Sequence, residues 1–116
     1  MPAEAVEMTA AGWQVLAAER DLQETLRIAA LRNGWMAYHT HDSRRSESGF
    51  PDLILIRDGR MLVFELKAQK GRVSPQQRAW IAAFDLLPMT IAAVVRPEPK
   101  TEGEISFDQA LEELAA

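Results

Sequence analysis

The chain has 116 residues, of which 47% are hydrophobic and 26% are charged, which fits one globular domain with its own core. It contains no apolar run of membrane-spanning length and no signal-peptide pattern, so we expect a cytoplasmic protein. The absence of cysteine excludes disulfides and thiolate metal ligands, so any metal would be bound by oxygen or imidazole.

The net charge of −4 argues weakly against a nucleic-acid-binding protein, but the charge is unevenly distributed. Residues 42–72 contain seven Lys or Arg residues and five acids, which gives this stretch a local charge of +2. If a metal neutralised two of these acids, the middle of the chain would become a positive surface suited to phosphate. The alternative is that these arginines form an ordinary solvated surface.

The N-terminal third predicts a leader, a helix, a strand and a loop. We interpret residues 1–12 as a flexible leader and residues 13–116 as one domain. Helical spacing predicts a helix over residues 13–33, ended by Asn33-Gly34, and residues 35–39 read as a strand before a polar loop at 40–49. The apolar residues of the helix are Val15, Leu22, Leu26 and Ala29, with Ile28 and Leu31 beside them.

Residues 52–57 and 60–65 predict a β-hairpin, because they flank Asp58-Gly59, a strong signal for a two-residue turn. Both strands are apolar on both faces. This pattern is typical of strands that helices cover on each side.

The C-terminal half predicts two helices and a strand. Ser74 as N-cap, Pro75 at N1 and Gln77 at N3 begin a helix that runs to about residue 86. Residues 90–95 read as a strand, 97–104 as a linker and 107–114 as a helix capped by Ser106. The order α-β-β-β-α-β-α indicates an α/β fold with a mixed sheet between helices.

The predicted hairpin concentrates charge at one end. A two-residue turn at 58–59 places Asp52 directly opposite Glu65, with Lys67 on the same face. Two facing carboxylates repel each other unless a positive charge compensates, and a divalent cation would do so. The other residues on this face are apolar, namely Ile54, Ile56, Met61 and Val63.

Glu19 lies between Val15 and Leu22 on the stripe of the first helix that should face the core. Its carboxylate either points at the metal, completing an oxygen-rich shell for Mg²⁺ or Mn²⁺, or is an ordinary solvated helix residue. In the first case Lys67 would hold the attacking water or the scissile phosphate. The reaction class is then phosphodiester hydrolysis.

Four short motifs carry a family resemblance. Residues 19–23 (ERDLQ), 49–52 (GFPD), 65–67 (ELK) and 77–80 (QRAW) resemble the VRR-NUC branch of the PD-(D/E)xK nucleases, in its short stand-alone bacterial and phage form. The resemblance covers roughly residues 15–96. Residues 38–46, just before the second motif, also resemble small phage members.

The resemblance implies a restriction-endonuclease-like α/β/α core and divalent-metal cleavage of DNA. It further implies a homodimer acting on branched or structured DNA such as Holliday junctions or flaps, in a bacterial or phage-infected cell. Metal binding falls to Asp52 and Glu65 with the Leu66 carbonyl nearby, catalysis to Lys67, and supporting roles to Glu19 and Gln77.

Several residues keep two interpretations. Gln77 is either functional or only the capping partner of Ser74, whereas Trp35, Trp80 and Phe84 are more typical of a core than of base-stacking platforms. For the histidines we favour substrate contact or no role over metal ligation. The candidate DNA contacts are His39, His41, Arg44, Arg45, Ser46, Lys70 and Arg72.

Two other function classes compete with the nuclease. A non-catalytic nucleic-acid-binding module of the same fold would show salt-sensitive DNA binding with no metal requirement. A small interaction protein would show no metal-dependent change in melting temperature. The acid pair argues against the first alternative, because a retired site has no reason to retain two repelling carboxylates.

Overall fold

A mixed sheet of five strands forms the centre of the molecule, in the order β1-β2-β3-β4-β5. The structure is a computed structural model that describes residues 18–40 and 46–116, so the predicted leader and the first predicted turns of helix one lie outside the described residues. The elements are α1 (Glu19–Arg32), β1 (Met36–His39), β2 (Leu53–Arg57), β3 (Arg60–Leu66), α2 (Pro75–Asp85), β4 (Thr90–Arg96), β5 (Glu104–Ser106) and α3 (Phe107–Ala115).

The predicted hairpin forms β2 and β3, joined by a turn in which Asp58 and Gly59 have φ values of 52° and 76°. Positive φ at both turn residues matches the twist of the two strands. β1 pairs antiparallel with β2, whereas β4 pairs parallel with β3 and β5 pairs parallel with β4. The helix α2 makes the crossover between the parallel strands β3 and β4.

The core lies between one face of the sheet and the helices α1 and α3. In α1, Leu22, Leu26 and Ala30 are fully buried. Ile28 and Leu31, which were predicted to lie beside them on the apolar stripe, are instead 38% and 49% exposed. Asn33 and Gly34 end the helix as predicted, with φ at +85° for Gly34. The sheet and α3 contribute Leu53, Leu55, Leu62, Phe64, Leu66, Val95, Phe107, Ala110 and Leu114 to this core.

Helices lie on both faces of the sheet, as predicted, but the described helices cover the opposite face only in part. The helix α2 lies over β3 and β4, beside Ala92 and Val94. On β1 and β2 no described helix covers this face, and Met36, Tyr38 and Ile56 are 74%, 57% and 44% exposed.

The strand β5 was not predicted, so the observed order is α-β-β-β-α-β-β-α. Its three residues lack an apolar run, and they pair with β4 only because the 97–103 loop folds back beside it. Ser106 caps α3 as predicted, and its side chain accepts a hydrogen bond from Gln109 N at 3.0 Å. Among the described helices, none is long and apolar enough to cross a membrane.

Candidate active site

The hairpin register brings the two predicted acids together. Leu53 pairs with Phe64, so the next position places Asp52 opposite Glu65. Asp52 is further held by its Oδ2, which accepts a hydrogen bond of 2.8 Å from the backbone N–H of Leu66. The predicted convergence of Asp52, Glu65 and Lys67 is therefore confirmed as geometry.

The charged residues at the C-terminal end of β3 and directly after it are buried. Glu65 is 3% exposed and Lys67 is 8% exposed, and Lys67 Nζ lies 3.9 Å from Glu65 Oε2. Burial, followed by the charge of Asp52, raises the pKa of Glu65 to about 9. Burial also raises the pKa of Asp52, although the Leu66 N–H opposes this by stabilising the carboxylate. The pair therefore accepts positive charge readily, as a proton or as a cation.

The oxygen atoms of Glu65 are used unequally. Oε2 accepts a hydrogen bond from Gln77 Nε2 at 3.1 Å and faces Lys67, whereas Oε1 is buried and accepts no hydrogen bond from an N–H or O–H group of the described residues. When one of the two carboxyls is protonated, Glu65 and Asp52 also share a side-chain hydrogen bond. A buried carboxylate oxygen without a partner carries a desolvation cost. Hard oxygen donors of this kind suit Mg²⁺ or Mn²⁺, so the residues present fit the predicted ion.

Gln77 both caps α2 and contacts the acidic pair, while its role in function stays a prediction. Its backbone N–H donates to Ser74 Oγ at 3.1 Å, and its Oε1 accepts from Ser74 N at 2.9 Å, which completes the capping box of α2. The remaining amide N–H donates to Glu65, as described above. Because the cap fixes one end of the amide, the other end points at the acid with little freedom.

A glycine lets the loop that carries Asp52 approach α2 closely. Gly49 has φ at +83°, and a Cβ built on it would lie 2.5 Å from the backbone carbon of Gln76 and 2.7 Å from Gln77 N. No other residue fits this conformation and this separation. Gly49 thus sets the distance between the two segments that hold Asp52 and Gln77.

Glu19 lies near the acidic pair but is exposed. Its Oε2 is 3.1 Å from the position of a Cβ on Gly71, beside the Lys67 side chain, and its charge contributes to the raised pKa of both Asp52 and Glu65. Within the described ranges, no three His, Asp or Glu side chains are grouped closely enough to bind a metal. The close carboxylates are thus the pair, with Glu19 at longer range.

The candidate DNA contacts are scattered. His39 lines a separate cavity with Arg20 and Glu24, Ser46 is half-buried, and Lys70 and Arg72 are exposed. His41, Arg44 and Arg45 lie outside the described residues. Contact with DNA remains a prediction for all seven.

Of the three aromatic residues predicted to be more typical of a core, only Trp35 lies in it. Trp35 is 2% exposed, and its Nε1 donates to the Leu114 carbonyl at 2.9 Å. Trp80 and Phe84 are only half-buried, and both rings pack against Phe50. Trp80 Nε1 donates to the Ser48 carbonyl, which ties this helix to the loop before Asp52.

The prediction missed a second charged cluster, in which Arg96 Nε donates to Glu104 Oε1 at 2.8 Å. Both side chains are buried, at 4% and 3% exposure. The available signal was an arginine that ends the apolar strand 90–96 and therefore needs an acid partner. Three glutamates follow it within ten residues, so the sequence did not reveal which one is the partner.

A mixed sheet between helices, with a carboxylate pair and a lysine at the ends of adjacent strands, is the architecture of a restriction-endonuclease-like protein. The VRR-NUC domain family matches residues 6–95, and the chain belongs to this family of nuclease domains. No curated protein and no solved structure matches the sequence significantly.

Proposed function

We propose that this nuclease is a divalent-metal-dependent endonuclease that hydrolyses DNA phosphodiester bonds. The observation that supports it is the carboxyl pair formed by the half-buried Asp52 and the buried Glu65. The raised pKa of both carboxyls, and a Glu65 Oε1 that accepts no hydrogen bond from a described N–H group, favour occupation by Mg²⁺ or Mn²⁺. Membership of a nuclease family supports DNA as the substrate.

Asp52 and Glu65 would hold the ion, with the Leu66 carbonyl as a further ligand. A strand residue directs its N–H and C=O to the same neighbouring strand, and the Leu66 N–H points at Asp52. The Leu66 carbonyl is therefore directed to the side of the acidic pair. Mg²⁺ commonly binds through one or two carboxylates plus water, which leaves Glu19 to act through water.

When bound, the ion would lower the pKa of a water molecule and offset charge on the scissile phosphate. Lys67 presents its ammonium group beside Glu65, where it would hold the attacking water or a phosphate oxygen. Gln77 keeps the Glu65 carboxylate in one orientation through its hydrogen bond to Oε2. Because these groups lie on the central strand β3 and a capped helix, they need little rearrangement before reaction.

The test is incubation of the purified protein with a four-way junction, a flap, linear duplex and single-stranded DNA, in Mg²⁺, Mn²⁺ or EDTA. Lys67→Met should abolish cleavage while the fold persists, because methionine keeps most of the side-chain length without the charge. Arg32→Met on the exposed end of α1 is the matched control and should cleave normally. Wild-type cleavage by Lys67→Met would overturn the assigned role.

A melting experiment separates the nuclease from the competing classes. The ion should raise the melting temperature of wild type and have less effect on Asp52→Asn, because a ligand that binds only the native state stabilises it. DNA binding without metal-induced stabilisation and without cleavage would instead favour the non-catalytic module.

We further propose a homodimer that acts on branched DNA, since cutting two strands symmetrically favours two related sites. The open apolar face of β1 and β2, with Met36, Tyr38 and Ile56 exposed, supports a second copy as its occupant. This surface lies on the same sheet face as Glu65 and Lys67. A pair formed through it would place both active sites in one assembly.

Light scattering coupled to size exclusion tests the dimer. Met36→Glu should give a monomer that keeps its fold, because this side chain is 74% exposed. Leu31→Glu is the control on α1, where the side chain is 49% exposed but lies away from the open face. A dimeric Met36→Glu protein would contradict the proposed surface.

A further inference from the structure

A second polar cavity, of about 300 Å³, lies beside the ends of β4 and β5. The loop after β3 contributes Gly71 and Arg72, α2 contributes Arg78, and the 97–104 segment contributes Lys100. The ion pair of Arg96 and Glu104 forms its base. This cavity is lined mainly by basic side chains, although the whole chain has a net charge of −4.

Three basic side chains of the cavity have no acidic partner among its lining residues. Glu104 neutralises Arg96. Burial opposes ionisation of Glu104, but hydrogen bonds from Arg96 and the Lys100 N–H outweigh it and lower the pKa of this carboxyl. Arg72, Arg78 and Lys100 are exposed, and none forms an ion pair with another described residue. They are available to an anionic ligand.

Hydrogen bonds between the loops hold the walls of the cavity in place. Arg96 Nη1 donates to the carbonyls of Ala68 at 3.0 Å and Gly71 at 2.6 Å, which fixes the loop after β3. Gln69 exchanges two hydrogen bonds with the backbone of Glu98, of 3.1 Å and 2.9 Å, which ties this loop to the next. A ligand would therefore meet a preformed site.

The same loop also borders the acidic pair. A Cβ built on Gly71 would lie 3.4 Å from Lys67 Cδ, so the backbone at Gly71 separates the lysine of the active site from the basic cavity. A strand whose scissile phosphate reaches Lys67 would pass Gly71 toward Arg72 and Arg78, and the Glu19 carboxylate also lies beside Gly71 at this point. No acid other than the neutralised Glu104 lines the cavity.

We propose that this cavity binds the phosphodiester groups of the DNA strand on one side of the scissile bond, through Arg72, Arg78 and Lys100. This inference rests on the proposed function and extends it by giving the path of the substrate. Guanidinium and ammonium groups are the usual partners of backbone phosphates, and such contacts fix the register of the nucleic acid without reading its sequence.

The experiment measures binding of a fluorescent DNA duplex in EDTA, across a series of salt concentrations. Arg72→Gln, Arg78→Gln and Lys100→Gln are compared with Arg32→Gln, a control with the same charge change on α1. Each lost phosphate contact should lower the slope of log affinity against log salt by about 0.9 and weaken binding about eightfold near 0.1 M salt. The control should match wild type.

Two further readouts keep the result decisive. Metal-induced stabilisation should be unchanged in the three variants, which shows that the fold and the acidic pair are intact. If wild type cleaves DNA but the three variants bind with an unchanged salt dependence, the proposed phosphate site is wrong and the proposed nuclease activity is right. If the variants bind with a reduced salt dependence but wild type never cleaves DNA, the proposed phosphate site is right and the proposed reaction is wrong. If wild type does not bind DNA, both are overturned.

Discussion

Replacing Glu65 with glutamine should stabilise the metal-free protein at neutral pH. The wild-type carboxyl has its pKa raised to about 9 by burial and by the charge of Asp52, so the native state retains a proton that the unfolded chain has lost. Stability rises with pH only where the unfolded state binds more protons, so here it falls as the pH rises from about 4.5 to about 9. Glutamine removes this loss and keeps an acceptor for Gln77.

The magnitude follows from the size of the shift. At about pH 7.5 the solution lies about three units above the ordinary pKa of a glutamate, which corresponds to about 4 kcal/mol. Local relaxation around the pair reduces this upper figure toward about 2 kcal/mol. Near pH 5 the difference between Glu65→Gln and wild type should almost vanish.

The assay is denaturant unfolding in EDTA at several pH values. Glu112→Gln, an exposed glutamate of α3, makes the same charge change and should follow wild type. If Glu65→Gln is no more stable than wild type at pH 7.5, or if its advantage does not change with pH, the electrostatic account of the pair is wrong.

Three more outcomes follow from the same geometry. Because an ion must displace a proton from the acidic pair, the apparent Mn²⁺ affinity should rise by up to about tenfold per pH unit between about pH 6 and 8, and a flat titration would contradict this. Ser74→Ala should cost about 1 kcal/mol of stability and also slow DNA cleavage by loosening Gln77, whereas Ser106→Ala should cost similar stability at the cap of α3 and leave cleavage unchanged. Equal activity in these two variants would remove the link from the cap to the site. Gly59→Ala should cost roughly 1–2 kcal/mol of stability, because Gly59 has positive φ but open space around it. Gly49→Ala should cost clearly more, because a Cβ at this positive φ would also meet backbone atoms of Gln76 and Gln77. Denaturant unfolding of the two proteins tests this difference.

The features that local chemistry specifies were predictable from the sequence. Asp58-Gly59 specified the turn, the turn specified the register, and the register brought Asp52 to Glu65. Ser74 specified the start of α2 in the same way. Each of these signals acts over a few residues, where sequence patterns are strongest.

The features that depend on distant parts of the chain were not predictable. The strand β5 exists only by pairing with β4, and its residues Glu104–Ser106 have no strand pattern of their own. The same fold-back joins Arg96 to Glu104 and brings Lys100 near Arg78, which lies far away in sequence. The partial cover of the second sheet face depends on where α2 packs. Because an apolar strand has the same sequence pattern whether a helix covers it or not, the sequence did not reveal that β1 and β2 lack this cover.

The alternation along β3 has a consequence for folding. Glu65 and Lys67 lie on one face of this strand, while Leu66 between them is fully buried on the other. A slip of one residue in the hairpin would exchange the faces and push the carboxyl of Glu65 and the amine of Lys67 among the leucines beneath α1 and α3. The charges that equip the protein for hydrolysis thus penalise the nearest competing alignment of the hairpin. A variant with apolar residues at both positions would lose its chemistry together with this protection against mispairing.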